Sequence, residues 1–330
     1  MTVINGIEID YIDYTKNEIK ESIENNDPVE DKLHVIAVLS NPCLYATRYI
    51  LMKEFIHRIE QEEKNVILYV VELAYKDQRF LITDSKNKKH LQLRTDCPLW
   101  HKENMINIGV KRLLPKNYKA FAWIDADIEF ENNTWALDTL KILNGTKDIV
   151  QLFSHCVDMS KDKLTMRVFN SAGYQFTKKN PYSFSGENYW HPGYAWAMTR
   201  KAYEKIGGLY DYAILGSGDN IMMHSILNNG LNAIDKESTE EYKSSVVEFQ
   251  NKIRHLRFGY VPGVIRHHYH GSKKNRKYHE RWRILVDRNY SPYTDVCYDS
   301  NGVLVPSAHF SEELKNDIFD YFNGRNEDSK

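Results

Sequence analysis

The stretch AFAWIDAD, residues 120–127, decides the fold class of this chain. Its first five residues are apolar and are typical of a strand that is buried on both faces. Two aspartates, Asp125 and Asp127, follow the strand with one residue between them. Ligands of open α/β sheets bind beyond the carboxyl ends of the strands, so this acidic pair predicts a divalent-cation site that also receives diphosphate oxygens. For the motif alone, the competing interpretation is a solvated surface turn.

Apolar and helical patterns on both sides of this stretch predict the rest of the sheet and its flanking helices. In the first half we expect strands at 33–39, 66–72, 120–124 and 149–153, and helices at 45–62 and 104–114. In the second half we expect a hairpin around 168–176, helices at 201–206, 220–227 and 311–322, and a strand at 264–268. Strands that alternate with helices indicate an α/β fold with a mixed, mainly parallel sheet.

Composition excludes several classes of function. The 330 residues carry a formal net charge of −1, which argues against nucleic acid or an anionic membrane as the main partner. Aromatic residues are abundant, with 22 Tyr and 6 Trp, and their rings suit a carbohydrate site. The four cysteines form no CxxC pair, which is typical of reduced thiols rather than of zinc. We see no signal peptide and no apolar run long enough for a membrane helix, and therefore expect a cytoplasmic protein.

Two segments downstream carry candidate substrate-binding residues. Tyr194 and Trp196 lie in a glycine-aromatic segment and are candidates for contact with a substrate, although either residue could equally belong to the core. Asp219 follows the run Gly216-Ser217-Gly218 and opens a predicted helix. Its carboxylate could take a proton from an attacking hydroxyl, whereas the alternative role is a helix N-cap. We predict that Asn220, the next polar side chain, binds the acceptor that carries this hydroxyl, together with Tyr194 and Trp196.

A run rich in histidine and cations, residues 265–276, completes the set of candidates. Strand alternation places His268 and His270 on one face and His267 on the other, so we predict that His268 and His270 join Asp127 as metal ligands. Imidazole ligands favour Mn²⁺ over Mg²⁺. Lys273 and Arg276 are predicted to hold a diphosphate.

The order of these blocks resembles that of GT-A glycosyltransferases, and most nearly the β-1,4-galactosyltransferase and polypeptide N-acetylgalactosaminyltransferase group, over roughly residues 98–283. Residues 98–109 are similar to the helix whose basic residue helps to bind the nucleotide, which points to Lys102. Asp125-Ala126-Asp127 is similar to the DxD motif, which implies Asp127 as a direct metal ligand and Asp125 as a nucleotide contact.

The same resemblance extends to the downstream segments. Residues 193–220 are similar to the family's glycine-aromatic segment and its WGGED or WGGEN loop, which implies that Asp219 activates the acceptor. His270 and the basic residues after it resemble the metal-binding histidine, although an alignment from Ile265 favours His267. The loop departs from the family pattern: Leu215 and Ser217 stand where the family has Trp and Gly, and Gly218 stands where it has Glu.

The resemblance implies a Rossmann-like GT-A catalytic domain over 33–290, with a nucleotide-binding half at 33–130 and an acceptor and metal half at 131–290. Residues 1–32 and 291–330 are interpreted as extensions, the second of them with a helix. The implied reaction is metal-dependent transfer of a sugar from a nucleotide diphosphate, with UDP favoured, to a glycan hydroxyl with inversion. The alternatives are a retaining transferase, an inactive carbohydrate-binding relative and a phosphoryl-transfer hydrolase with Asp125 as nucleophile.

Overall fold

The structure is a computed structural model that describes residues 2–4, 7–9, 30–144, 146–186, 188–278 and 280–329, without the side chains of residues 2–4, 7–9 and 273. Most of the predicted N-terminal extension lies outside these residues. The described helices are α1 (Ala46–Glu62), α2 (Lys102–Leu113), α3 (Trp135–Leu143), α4 (Ala172–Thr177), α5 (Arg200–Ile206), α6 (Gly218–Ile226), α7 (Glu240–Ile253), α8 (Arg281–Asp287) and α9 (Glu312–Gly324).

The described strands form two large sheets and two small hairpins. They are β1 (Thr2–Ile4), β2 (Ile7–Ile9), β3 (Leu33–Ser40), β4 (Val66–Tyr75), β5 (His90–Thr95), β6 (Ala120–Ile124), β7 (Ile128–Phe130), β8 (Ile149–Gln151), β9 (His155–Met159), β10 (Thr165–Ser171), β11 (Trp190–His191), β12 (Ala195–Thr199), β13 (Phe258–Tyr260), β14 (Val264–His267), β15 (Val296–Tyr298) and β16 (Leu304–Pro306).

The larger sheet has seven strands in the order β13-β8-β12-β6-β3-β4-β5. Strand β12 is antiparallel to both of its neighbours, and every other neighbouring pair in this sheet is parallel. Helices cover both faces, which buries β6 along its whole length and explains why AFAWI has no polar residue. The predicted fold class, a mixed and mainly parallel sheet flanked by helices, is confirmed.

Close helix packing supports the sheet beside β6. A Cβ at Gly109 of α2 would lie only 3.1 Å from Val71 Cγ2 and 3.2 Å from Ile36 Cγ2, so the absence of a side chain there lets α2 approach β3 and β4 closely. This approach sets the position of the first turn of α2, which faces the carboxyl end of β6.

The second sheet has five strands in the order β11-β10-β9-β14-β7. Strand β7 begins directly after the AFAWIDAD stretch, so Asp125-Ala126-Asp127 is one of the segments that connect the two sheets. The hairpin predicted around 168–176 is wrong, because β9 and β10 form the hairpin and 172–177 are helical. The Ser171 side chain accepts a hydrogen bond from the Tyr174 amide at 3.0 Å, and this cap starts the helix.

Apolar residues of the C-terminal segment join the main core. Val303 and Leu304 are fully buried, as is Ile318 of α9. The ring of His101, the N-cap residue of α2, makes a hydrogen bond to the Leu304 carbonyl oxygen at 2.8 Å, so the segment packs at the start of the helix that faces the acidic pair. Among the residues that the structure describes, none of the helices combines the length and the hydrophobicity needed to cross a bilayer.

Trp196 belongs to the core, and its assignment to the acceptor site is therefore corrected. The side chain is 1% exposed, and its ring stacks between Trp123 at 6.4 Å and Phe258 at 5.4 Å. Its indole N–H donates to the Pro192 carbonyl oxygen at 2.8 Å, which satisfies the one polar atom of the ring. The pleat of β12 points this side chain into the apolar core between the sheet and its helices, where a substrate has no access.

We expect Trp196→Ala to lower the free energy of unfolding by about 3–5 kcal/mol, because it leaves a large cavity between two rings. Urea denaturation followed by circular dichroism measures the change. Phe184→Ala is the matched control, since that ring is 76% exposed and its loss should cost about 0.5 kcal/mol or less. Equal stability of the two variants would contradict the core assignment.

Candidate active site

A cleft of about 900 Å³ opens at the carboxyl ends of β3 and β6, which are parallel and therefore end at the same edge of the sheet. Residues from both halves of the chain line it. The lining includes most of the residues predicted from the sequence: Lys102, Asp125, Asp127, Tyr194, Asp219, Asn220, His270 and Arg276. The topology thus brings the separate sequence blocks to one place.

Asp125 forms an ion pair with Lys102, the first residue of α2, at 2.5 Å between Oδ1 and Nζ. Burial raises the pKa of Asp125 to about 6, and Lys102 opposes this and keeps the carboxyl ionised at neutral pH. Burial disfavours the Lys102 cation, but Asp125 and then Asp219 outweigh it and raise the pKa of Lys102. The first aspartate of the acidic pair is therefore neutralised by a protein side chain.

Asp127 lies in a different environment, against two histidines. Its Oδ2 is 2.7 Å from His270 Nε2 and 3.5 Å from His267 Nε2, and the two imidazole nitrogens are 3.3 Å apart. The three ligand atoms lie within 4.8 Å of one another. Two imidazoles and one carboxylate at this spacing form a candidate metal site.

Strand pairing determines which histidines reach Asp127. Strand β14 lies between β7 and β9, with His267 opposite Ile128 on one side and Asp158 on the other. Asp127 immediately precedes Ile128, so this register holds its side chain beside His267. The amide of His268 donates to the Asp127 carbonyl oxygen at 2.8 Å and fixes the same alignment.

The prediction that His268 and His270 share a face is wrong. Strand β14 ends at His267, so the two-residue alternation does not continue, and His270 Nε2 reaches Asp127 Oδ2 at 2.7 Å. The His268 ring instead lies 3.0 Å from Glu129 Oε2, away from the cluster. His267 therefore replaces His268 as the candidate ligand.

Asp158 is a site residue that the sequence analysis missed. Its Oδ1 lies 2.7 Å from His267 Nδ1, and both side chains are almost fully buried. A carboxylate on one ring nitrogen fixes the tautomer of a histidine and directs the other nitrogen at a metal. No local sequence motif identifies Asp158 as a site residue, because it comes to lie beside His267 only through the pairing of β9 with β14.

The protonation states of Asp127 and His270 favour metal ligation, whereas His267 would have to release a proton that its two carboxylate neighbours stabilise. Burial works against an ionised carboxylate, but His270 and His267 outweigh it and hold the pKa of Asp127 well below its usual range. Burial, helped by the nearby Arg276, lowers the pKa of His270 to about 4, so this ring is neutral at pH 7 and presents a lone pair. Burial opposes the charged form of His267, but Asp127 and Asp158 outweigh it and raise its pKa.

The residues present fit a divalent metal ion. The Oδ1 atom of Asp127 is buried and has no hydrogen-bond partner among the described residues, which is unfavourable unless a cation binds it. Neutral imidazole from His270, an oriented imidazole from His267 and an ionised carboxylate suit Mn²⁺ better than Mg²⁺, which prefers oxygen ligands.

Tyr194 stands at the start of β12, which runs antiparallel to β6, and its carbonyl oxygen accepts a hydrogen bond from the Asp125 amide at 2.9 Å. The ring is stacked between His191 at 4.2 Å and His267 at 4.6 Å. Its φ of +83° is rare for a residue with a side chain, and the surrounding stack holds it there. Tyr194 lines the cleft and supports a candidate metal ligand.

Asp219 faces the same cleft from the start of α6. Its Oδ2 lies so close to Gly193 that a Cβ there would be 2.8 Å away, which explains the glycine. A Cβ on Gly218 would overlap the carboxyl group of the buried Glu103. Burial raises the pKa of Glu103 to about 8, Lys102 opposes the shift and Asp219 adds to it. Glu103 is therefore neutral at pH 7 and adds no negative charge beneath Asp219.

Arg276, which is predicted to hold a diphosphate, lies beside the candidate metal cluster. Its Nη2 lies 2.8 Å from His270 Nε2, and its Nη1 donates to the Tyr278 hydroxyl at 2.9 Å. The Nε atom is buried without a partner among the described residues. The side chain of Lys273 is outside the described part of the chain, and its predicted role stays a prediction.

Aromatic side chains that were not singled out from the sequence line the side of the cleft near Asp219. Phe184 is 76% exposed, and Tyr182 and Tyr278 are each nearly half exposed. Trp190 and Tyr189 lie deeper in the same wall. Exposed rings around a polar cleft suit the apolar C–H faces of sugars. Nothing in the spacing of these residues distinguishes them from core aromatics, which is why sequence reasoning missed them.

No family model matches the chain, and no curated protein matches it in sequence. Among solved structures it resembles the catalytic domain of Drosophila β1,4-galactosyltransferase 7 in complex with xylobiose, with 13% identity, a TM-score of 0.34, and coverage of 61% of this chain and 62% of that chain. A mutant of the same Drosophila enzyme in complex with manganese, UDP-Gal and xylobiose matches with 12% identity, a TM-score of 0.34, and coverage of 61% and 63%.

This chain thus spans less than two thirds of the length of either galactosyltransferase structure. A likeness of this degree does not determine what the chain binds or transfers. The chemistry of the cleft residues has to decide the function.

We expect His267→Ala and His270→Ala each to weaken Mn²⁺ binding by at least about tenfold, because each removes a nitrogen beside Asp127. His268→Ala is the matched control and should change the Mn²⁺ Kd less than about twofold. Isothermal titration calorimetry with MnCl₂ measures all three. Loss of binding in His268→Ala, with His267→Ala unaffected, would return the ligand role to His268.

Proposed function

We propose that this chain is a metal-dependent glycosyltransferase of the GT-A type that moves a sugar from a UDP-sugar to a hydroxyl group of a glycan. The observation that carries the proposal is the convergence, in one cleft, of the Asp127–His267–His270 cluster, the Lys102–Asp125 pair and Asp219. A phosphate-binding side, a metal site and a carboxylate beside an aromatic wall are what such a transfer requires. The choice of UDP rests on the resemblance of the sequence blocks.

The proposed donor side consists of cations and metal ligands. Asp127, His267 and His270 would hold a divalent ion, which when bound supplies positive charge to the departing diphosphate. Lys102 is partly buried and its Nζ lies 2.5 Å from Asp125 Oδ1, so the ammonium group is oriented before the donor arrives.

The proposed acceptor side is organised around Asp219. Its Oδ1 accepts a hydrogen bond from the Asn220 amide at 2.8 Å, which fixes the carboxylate rotamer, and its other oxygen lies over Gly193. A fixed carboxylate in the cleft can accept the proton of an acceptor hydroxyl as that hydroxyl attacks the anomeric carbon. Direct attack of this kind inverts the anomeric configuration, and the aromatic wall with Tyr182 and Phe184 would hold the acceptor sugar.

A screen of UDP-sugars and other nucleotide sugars tests the function as a whole. We expect hydrolysis of at least one UDP-sugar in the presence of Mn²⁺ and none after chelation with EDTA, measured as released UDP. Asp127→Ala should abolish this activity and the Mn²⁺-dependent part of UDP binding, because it removes the carboxylate of the cluster. Glu129→Gln, which alters only the partner of His268, is the matched control. Absence of Mn²⁺-dependent binding of any nucleotide sugar would refute the proposal.

We expect Asp219→Asn to keep the affinity for UDP and Mn²⁺ within about threefold and to lower the rate of transfer by about 10²–10⁴-fold, because the amide cannot accept the proton. Calorimetry measures binding, and product formation measures transfer with the acceptor identified for the wild-type chain. Proton NMR of the wild-type product should give the inverted anomeric configuration. A near-normal rate in the variant would remove Asp219 as base, and net retention would exclude single displacement.

A further inference from the structure

Four arginines line the side of the cleft that faces the C-terminal segment: Arg48, Arg276, Arg281 and Arg325. Glu327 pairs with two of them. Its carboxylate lies 2.5 Å and 2.7 Å from two nitrogens of Arg48, and 2.7 Å from Nε of Arg325. The hydrogen-bond partners of Arg276 and Arg281 are hydroxyl groups and an imidazole, which are neutral or carry no compensating negative charge.

This arrangement has an excess of positive charge in a buried place. Arg325 is 5% exposed, and burial lowers its pKa, an effect that the neighbouring Glu327 opposes and Arg48 reinforces. The Nε atom of Arg276 is buried with no partner among the described residues. Buried cations without counter-charges are costly, so an anion bound between these arginines would stabilise the folded chain. The guanidinium group is planar and can bind two oxygens of a phosphate at once through parallel hydrogen bonds.

The segment that carries Arg325 and Glu327 is built into this wall of the cleft. Glu327 is 2% exposed, and a Cβ on Gly271, next to the candidate ligand His270, would lie 2.9 Å from Glu327 Cα. The Asp328 carboxylate accepts hydrogen bonds from the first two amides of α1 at 2.8 Å and 2.9 Å. The guanidinium of Arg325 lies 5.1 Å from the ring centre of Trp100. These contacts hold the segment against α1, the His270 loop and the approach to Lys102.

We propose that residues 325–328 form part of the donor site, in which Arg325 binds the diphosphate of the nucleotide and Glu327 is a positioning residue for Arg325 and Arg48. This inference rests on the proposed function. It adds two residues from 291–330, the segment that was interpreted from the sequence as an extension. The competing idea is that Glu327 occupies the phosphate position and must leave. Its enclosed carboxylate and its backbone contact with the His270 loop argue against displacement.

Binding of UDP and of uridine, each titrated calorimetrically in the presence of Mn²⁺, tests the inference. Arg325→Met should weaken UDP binding by about tenfold to a hundredfold, because charged hydrogen bonds to phosphate are lost, and should change uridine binding less than about twofold. Glu327→Gln should weaken UDP binding at least severalfold, since two guanidinium groups lose their anchor. Arg288→Met is the matched control, because its guanidinium pairs with Asp317 at the surface at 2.7 Å and should leave both ligands unaffected.

The outcomes separate the two proposals. If the wild-type chain binds no UDP with Mn²⁺, the proposed function fails and this inference fails with it. If the wild type binds UDP and Arg325→Met binds it equally well, only the role of the C-terminal segment is refuted. Tighter UDP binding by Glu327→Gln would instead show that Glu327 occupies the anion's place. Thermal melting of each variant checks that it folds. Arg325→Lys keeps the positive charge but loses the planar arrangement of hydrogen-bond donors, so its affinity for UDP should lie between those of Arg325→Met and the wild type.

Discussion

The position of β14 between β7 and β9 is the constraint on which the cleft depends. One strand pairing places His267 beside the residue after Asp127, and the other places it beside Asp158. A shift of one residue in either register would turn His267 away from both carboxylates, because successive side chains of a strand point to opposite faces. The candidate metal site is therefore a consequence of how the second sheet is assembled.

The two aspartates of the acidic pair have different partners although they stand one residue apart. Asp125 is balanced by Lys102 from α2, whereas Asp127 is held between imidazoles and keeps one oxygen without a partner among the described residues. The two carboxylates therefore do not form a single negative cluster that one cation would neutralise. One carboxylate orients a lysine, and the other is left available as a ligand.

Sequence reasoning succeeded where a signal is local. The apolar run that ends at Ile124, directly before Asp125, predicted the bounds of β6 correctly. The alternation of strands and helices predicted the class of the sheet. It failed where a contact joins distant parts of the chain. Asp158 meets His267 across 109 residues, and Arg48 meets Glu327 across 279, and no local pattern indicates either contact. The error at His268 came from extending strand alternation past the last strand residue, where the backbone already turns.

Gly218 limits how this loop can change. The loop that residues 193–220 resemble in sequence has Glu at this place, but here the carboxyl group of Glu103 occupies the space that a Cβ at position 218 would enter. A side chain at position 218 therefore requires either that the buried Glu103 carboxyl group move or that position 103 carry a smaller residue. Positions 103 and 218 are therefore sterically coupled. A library that varies the loop alone would place every side chain at position 218 against Glu103.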